Sequence, residues 1–96
     1  MTEAVPVFLH EEAEAEFIDA VRWYEKQRPG LGHRFADAVD HIINAIAAGR
    51  VVGGMVPSVE GTGLRRQLVR PFPYQVIFAR REALRVVAIA HLHRAP

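Results

Sequence analysis

A chain of 96 residues can build one core but not two, so a single domain over residues 1–96 is expected. Half of the residues are apolar, 24% are charged and the formal net charge is +1, the mix of a folded globule rather than a disordered chain. The lack of cysteine excludes disulfides, thiolate metal centres and thiol nucleophiles, and no apolar run approaches the ~18 residues of a membrane span.

Residues 1–6 carry neither the basic region nor the long apolar stretch of a secretory signal, so a cytoplasmic protein without a membrane partner is expected. Residues 5–9 form a short apolar run in which Pro6 removes a ladder donor, which suits a strand start or an edge. Residues 11–27 predict an amphipathic helix. Ala13, Phe17, Val21 and Tyr24 repeat at helical spacing, with Ile18 and Ala20 widening the stripe. Glu11, Glu12 and Glu14 complement the positive end of its dipole, while His10 is a weak residue for the N-cap. Tyr24 and Trp23 read as core and rim residues.

Pro29-Gly30 interrupts the pattern, and a second stripe follows: Leu31, Phe35, Val39, Ile42 and Ile46, flanked by Ala38 and Ile43. Gly49 is placed to end this helix in the left-handed conformation. So short a connection predicts an antiparallel hairpin. Isolated helices of this length are marginal in water, so the hairpin must dock on a sheet.

Residues 51–63 hold Gly53, Gly54, Pro57, Gly61 and Gly63 and read as a loop. Strands are expected at 64–70, 74–80 and 84–93, broken by Pro71-Phe72-Pro73 and by the polar turn Arg81-Glu82-Ala83. Phe72 and Phe78 read as packing residues. The near-continuous apolar run from Val86 to Ala90 predicts a strand covered on both faces. The expected fold class is therefore α+β, with order β-α-α-β-β-β: a helical hairpin on a small, mainly antiparallel four-stranded sheet.

Charge divides unevenly along this order. Nine acids oppose four bases in residues 1–48, whereas eight arginines oppose Glu60 and Glu82 in residues 49–96. Guanidinium groups gathered in one half suit phosphate, carboxylate or a flat protein partner. Arg65, Arg66, Arg70, Arg80, Arg81 and Arg94 are the candidate binding residues, and an anionic partner is expected to meet this half. His91 and His93, two apart on an expected strand, point to one face. Nothing in the spacing brings His10, His33 or His41 beside them as a third ligand, so no metal and no cofactor is expected.

Several of these residues carry a family likeness. Trp23-Tyr24-Glu25 closing the first helix, Pro29-Gly30-Leu31-Gly32 followed by Phe35, Leu64-Arg65-Arg66, the strand entry Phe72-Pro73-Tyr74 and the ending His91-Leu92-His93-Arg94-Ala95-Pro96 resemble the RelE/ParE toxin superfamily. The likeness runs over essentially the whole chain. It implies the toxin half of a type II toxin–antitoxin pair, of the kind that stabilises plasmids, neutralised by a cognate antitoxin that wraps across it.

The superfamily implies two mechanisms: poisoning of DNA gyrase by protein contact, and ribosome-dependent cleavage of messenger RNA. Cleavage through a 2′-hydroxyl needs a base, an acid and cations for the phosphorane charge. RelE-type nucleases are expected to supply these with sheet lysines and arginines and a late tyrosine. This sheet half has no lysine, and its one tyrosine, Tyr74, opens a strand. An arginine cannot readily serve as the base. The departure favours the gyrase-poison, non-enzymatic branch. The nuclease alternative would rest on His91 or His93 as base, Arg65 or Arg70 on phosphate, Arg94 beside them and Glu60 as helper. A further alternative is an inactive relative kept as a binding module. For the antitoxin, the arginine-rich half leads us to expect a predominantly acidic partner whose amphipathic segment fills an apolar groove.

Overall fold

Both amphipathic stripes become helices of 17 residues, and both lie on one side of a sheet. The computed structural model of the chain describes residues 4–55 and 63–93. In chain order the elements are β1 (Val7–Leu9), α1 (Glu11–Gln27), α2 (Leu31–Ala47), β2 (Gly54–Met55), β3 (Arg65–Leu68), β4 (Tyr74–Arg80) and β5 (Leu84–His91). The sheet runs β1-β5-β4-β3-β2, with β1 parallel to β5 and every other pair antiparallel. It has five strands rather than four. The added one, Gly54–Met55, pairs with Arg65 and Arg66 inside the glycine-rich stretch that reads as a loop. Two paired residues are too few to leave a period-2 signal.

The hairpin turn explains the spacing of its glycines. Gly30 is the N-cap of α2 at φ 89°, a left-handed conformation that costs a side chain dearly. The Glu25 carboxylate caps the turn, accepting from the Gly30 N–H at 2.9 Å and the Gly32 N–H at 3.0 Å. At Gly32 a Cβ would lie 2.5 Å from the Val21 carbonyl oxygen, so the helices cross too closely for a side chain there. Gly49 takes φ 79° directly after the Ala48 C-cap, as its position predicts. His10 is the N-cap of α1 and makes no side-chain capping bond.

Under the hairpin, Phe35 is fully buried at the centre of an aromatic cluster. Its ring centroid is 4.9 Å from Tyr74, 5.1 Å from Tyr24 and 5.2 Å from Phe72. Val39, Ile43 and Ile46 continue this layer along α2, onto Val76, Phe78, Leu84, Val86 and Ile89 of the sheet. The Ile18 side chain, placed on the buried stripe by periodicity, is exposed, and Ala13, Ala20 and Tyr24 mark the true buried face of α1.

β5 departs from its sequence reading in two ways. It ends at His91, because Leu92 turns to donate its N–H to the Pro73 carbonyl. Its second face carries no helix. The apolar run reflects instead a central position between β1 and β4, with a register shift against β4 at Ile77/Phe78. Across that shift Val87 and Ala88 are half-buried.

Candidate protein-docking surface

Strand register sorts the side chains into two faces, because residues directly opposite one another point the same way. On the helix side the rows are Leu9–Val86–Phe78–Arg65 and Ile89–Val76–Gln67. On the other side they are Phe8–Arg85–Ala79, Ala88–Ile77–Arg66–Gly54 and Ala90–Gln75–Leu68. This open face is an apolar strip edged by two guanidinium groups. Phe8 is 50% exposed, Arg66 and Arg85 are exposed, and the small and branched residues between them are half-buried. The Arg85 guanidinium lies over the Phe8 ring at 5.3 Å, a cation–π contact that holds it against the sheet.

The expected arginine cluster divides into two sets. Arg65 and Arg80 turn inward. Arg65 Nη1 donates to the Gly53 carbonyl at 3.2 Å and ties β3 to the glycine-rich strand beside it. Arg80 Nη2 donates to the Ala47 carbonyl at 3.2 Å, placing a cation on the last turn of α2, where carbonyls lack partners. Its Nε is buried and makes no hydrogen bond. Arg66, Arg70 and Arg81 are exposed: Arg66 lies on the open face, where Nη1 reaches Gln75 Oε1 at 3.4 Å, and the other two lie in the turns at either end of β4. Among the described residues no arginine pairs with a carboxylate. The ion pair found is His33 with Asp37, 3.4 Å apart on α2. Glu60 and Arg94 lie outside the described residues.

The histidine pair is not one face of a strand. His91 is the last residue of β5, whereas His93 sits in the turn beyond it and donates its backbone N–H to His91 Nδ1 at 3.0 Å. That bond makes Nδ1 of His91 an acceptor. The two rings are nevertheless neighbours, 5.7 Å between centroids, and His91 packs edge-on to Tyr74 at 5.1 Å. Tyr74, only 7% exposed, lies within the aromatic core. Among the described residues the open face bears no histidine, tyrosine, lysine or carboxylate, and no three His, Cys, Asp or Glu side chains gather as metal ligands.

Two of the grooves that flank the helical layer border the residues discussed so far. One, of about 580 Å³, runs between α1 and the end of β5, past Glu16, Asp19, Trp23 and His91. There Glu16 Oε1 accepts the Ile89 N–H at 2.9 Å, stopping a strand edge that β1 leaves uncovered. The other, of about 620 Å³, opens at the hairpin turn beside Arg28, Arg34 and Phe72. Sequence reasoning missed Arg85, whose exposure was legible in its alternation between the buried Leu84 and Val86. It also missed Glu16, whose partner is 73 residues away and leaves no local signal.

Comparison with known proteins places this architecture. No curated protein matches the chain. Among solved structures it is similar to a chain of the "Chromosomal ParDE TA system from P. aeruginosa", with a TM-score of 0.75 at 13% identity, covering 94% of this chain and 98% of that one. At that identity the likeness speaks for the fold, and none of the described helices is long and apolar enough to cross a membrane. The family model "ParE toxin of type II toxin-antitoxin system, parDE" matches residues 7–96. The chain belongs to the ParE toxin family and is the toxin component of a type II toxin–antitoxin system.

Proposed function

We propose that this toxin acts in the cytoplasm by binding a protein target, DNA gyrase, rather than by cutting RNA, and that an acidic amphipathic segment of its cognate antitoxin neutralises it on the open sheet face. The observation that carries this reading is the make-up of that face: an apolar strip through Ile77, Ala79, Ala88 and Leu68, edged by Arg66 and Arg85. Such a surface suits an amphipathic partner that brings carboxylates to its rim. Phosphoryl transfer on RNA would need a positioned base and acid beside those cations, and the described residues of the face offer neither. Induction of the toxin alone tests the mechanism. DNA breaks and altered supercoiling are expected within minutes, ahead of any fall in protein synthesis. Translation arrest first, with cleaved messenger RNA, would establish the endoribonuclease reading instead, and unaffected growth would mark a binding module. For the antitoxin, Arg66→Glu with Arg85→Glu is expected to weaken the complex at least tenfold, because two rim attractions become repulsions.

A further inference from the structure

Besides the stripe it buries, α1 carries a second one of opposite character. Glu16, Asp19, Ala20 and Trp23 stand at i, i+3, i+4 and i+7, so they share one face of the helix. That face lines the groove of about 580 Å³, with Ile89 and Leu92 on its sheet side. Trp23 is 49% exposed and packs edge-on to Tyr24, ring centroids 5.1 Å apart. Glu16 and Asp19 are exposed, and neither forms an ion pair among the described residues. The bond from the Ile89 N–H to Glu16 Oε1 holds this carboxylate at the groove wall. Arg22 and Lys26 are exposed on the same helix but do not line the groove, and His91 at its far end accepts the His93 N–H through Nδ1.

We infer that this groove docks an arginine or lysine side chain from a basic segment of the toxin's protein target, seated against the Trp23 ring beside Glu16 and Asp19. The inference rests on the reading that the toxin acts by protein contact, and it assigns target and antitoxin to surfaces of opposite charge. The argument is charge complementarity joined to shape. An aromatic face beside two carboxylates selects a cation: the ring attracts it through its quadrupole, and the carboxylates pair with it. The aliphatic stem of such a side chain covers the apolar lining at Ala20, Ile89 and Leu92. The predominantly acidic segment expected of the antitoxin is repelled from the same place. Acids on a helix without the ring and the hollow would be an ordinary solvated face; here the three coincide.

Trp23 is the only tryptophan of the chain, so its emission reports on the groove directly. The free toxin is titrated with an arginine hexapeptide and, for comparison, a glutamate hexapeptide. A saturable change in emission is expected with the first and none with the second. Glu16→Gln with Asp19→Asn, which keeps an acceptor for the Ile89 N–H, is expected to bind the arginine peptide about fivefold more weakly. Glu12→Gln with Glu14→Gln removes the same charge from α1 outside the groove and is expected to cost less than about twofold. No saturable change, or equal losses in both double variants, overturns the docking site. Growth then tests the occupant. Induced alone, Asp19→Arg with Trp23→Ala is expected to inhibit growth at least about tenfold less than the wild type, with thermal melting to verify its fold. Full inhibition by this variant overturns the assignment to the target. Should it melt lower, Asp19→Arg alone takes its place with the same expectation. A wild type that arrests translation before it breaks DNA removes the gyrase reading only, and the groove is still decided by the titration and by the growth of this variant.

Discussion

The two faces of the β-sheet are built from the same strands, yet they serve opposite ends. The helix side brings Phe78, Val86, Ile89 and Val76 against the hairpin and excludes water almost entirely. The other side carries Ile77, Ala88, Ala90 and Leu68 at intermediate exposure, with the exposed Arg66 and Arg85 at its rim. Each β4 and β5 residue thus contributes mainly to stability or mainly to a surface, according to the strand alternation, whose phase on β5 slips by one residue at Val87. The contrast teaches that apolar content alone does not tell core from docking surface in a two-layer fold. What differs is whether a second layer answers it.

The contrast is sharpest for large apolar side chains. Phe35→Ala removes the ring at the centre of the aromatic cluster and is expected to cost about 3–5 kcal/mol, enough to threaten folding of so small a protein. Ile77→Ala, on the open face, is expected to cost about 1 kcal/mol because much of its area already faces water. Urea denaturation of both variants measures the gap, and equal losses would mean that the open face is covered in the free protein. Next in size is Gly32→Ala. A methyl group 2.5 Å from the Val21 carbonyl must push α1 away from α2, for about 2–3 kcal/mol by the same measurement. A neutral result there would deny the close helix crossing.

How far the sequence foretold this division depends on the kind of signal. Helix periodicity over 17 residues averages many side chains, which is why α1, α2, the Gly30 turn and the Gly49 terminus were legible. Single positions at the margin of a stripe were not: Ile18 lies close enough to the boundary that a small rotation of α1 exposes it. β2 was hidden because its pairing depends on β3, twelve residues away in the Arg65–Gly53 bond, rather than on its own composition. The arginines were legible as a group but not one by one. A long side chain can bend to a backbone carbonyl on either side of a sheet, so strand parity did not reveal that Arg65 and Arg80 are engaged internally. The turn at Leu92 shortened β5 and separated the histidines, an effect of the Pro73 carbonyl that no local pattern encodes.

Those inward arginines carry the comparison from apolar to charged residues. Arg80→Ala removes the cation from the end of α2 and is expected to cost about 1 kcal/mol, since the group is half-buried and its bond to Ala47 is partly screened. Arg66→Ala, on the open face, is expected to change stability by less than about 0.5 kcal/mol and to act on partner binding instead. Paired denaturation and antitoxin-binding measurements separate the two roles. Loss of stability in Arg66→Ala would place that side chain with the internal set.

The smallest effect expected is also the one that most directly tests how the open face is organised. Arg85 could sample solvent freely, but its guanidinium lies 5.3 Å from the centre of the Phe8 ring, across the parallel β1–β5 pair. If that contact orients the cation in solution, a double-mutant cycle of Phe8→Leu and Arg85→Gln gives a coupling of about 0.5 kcal/mol, the usual size for an exposed cation–π pair. The same cycle on antitoxin affinity should show a coupling of like sign, because an arginine already held in place loses less freedom on binding. A coupling in stability without one in affinity would mean that the partner strips Arg85 from the ring, and the open face would then be remodelled on binding instead of being met as it stands.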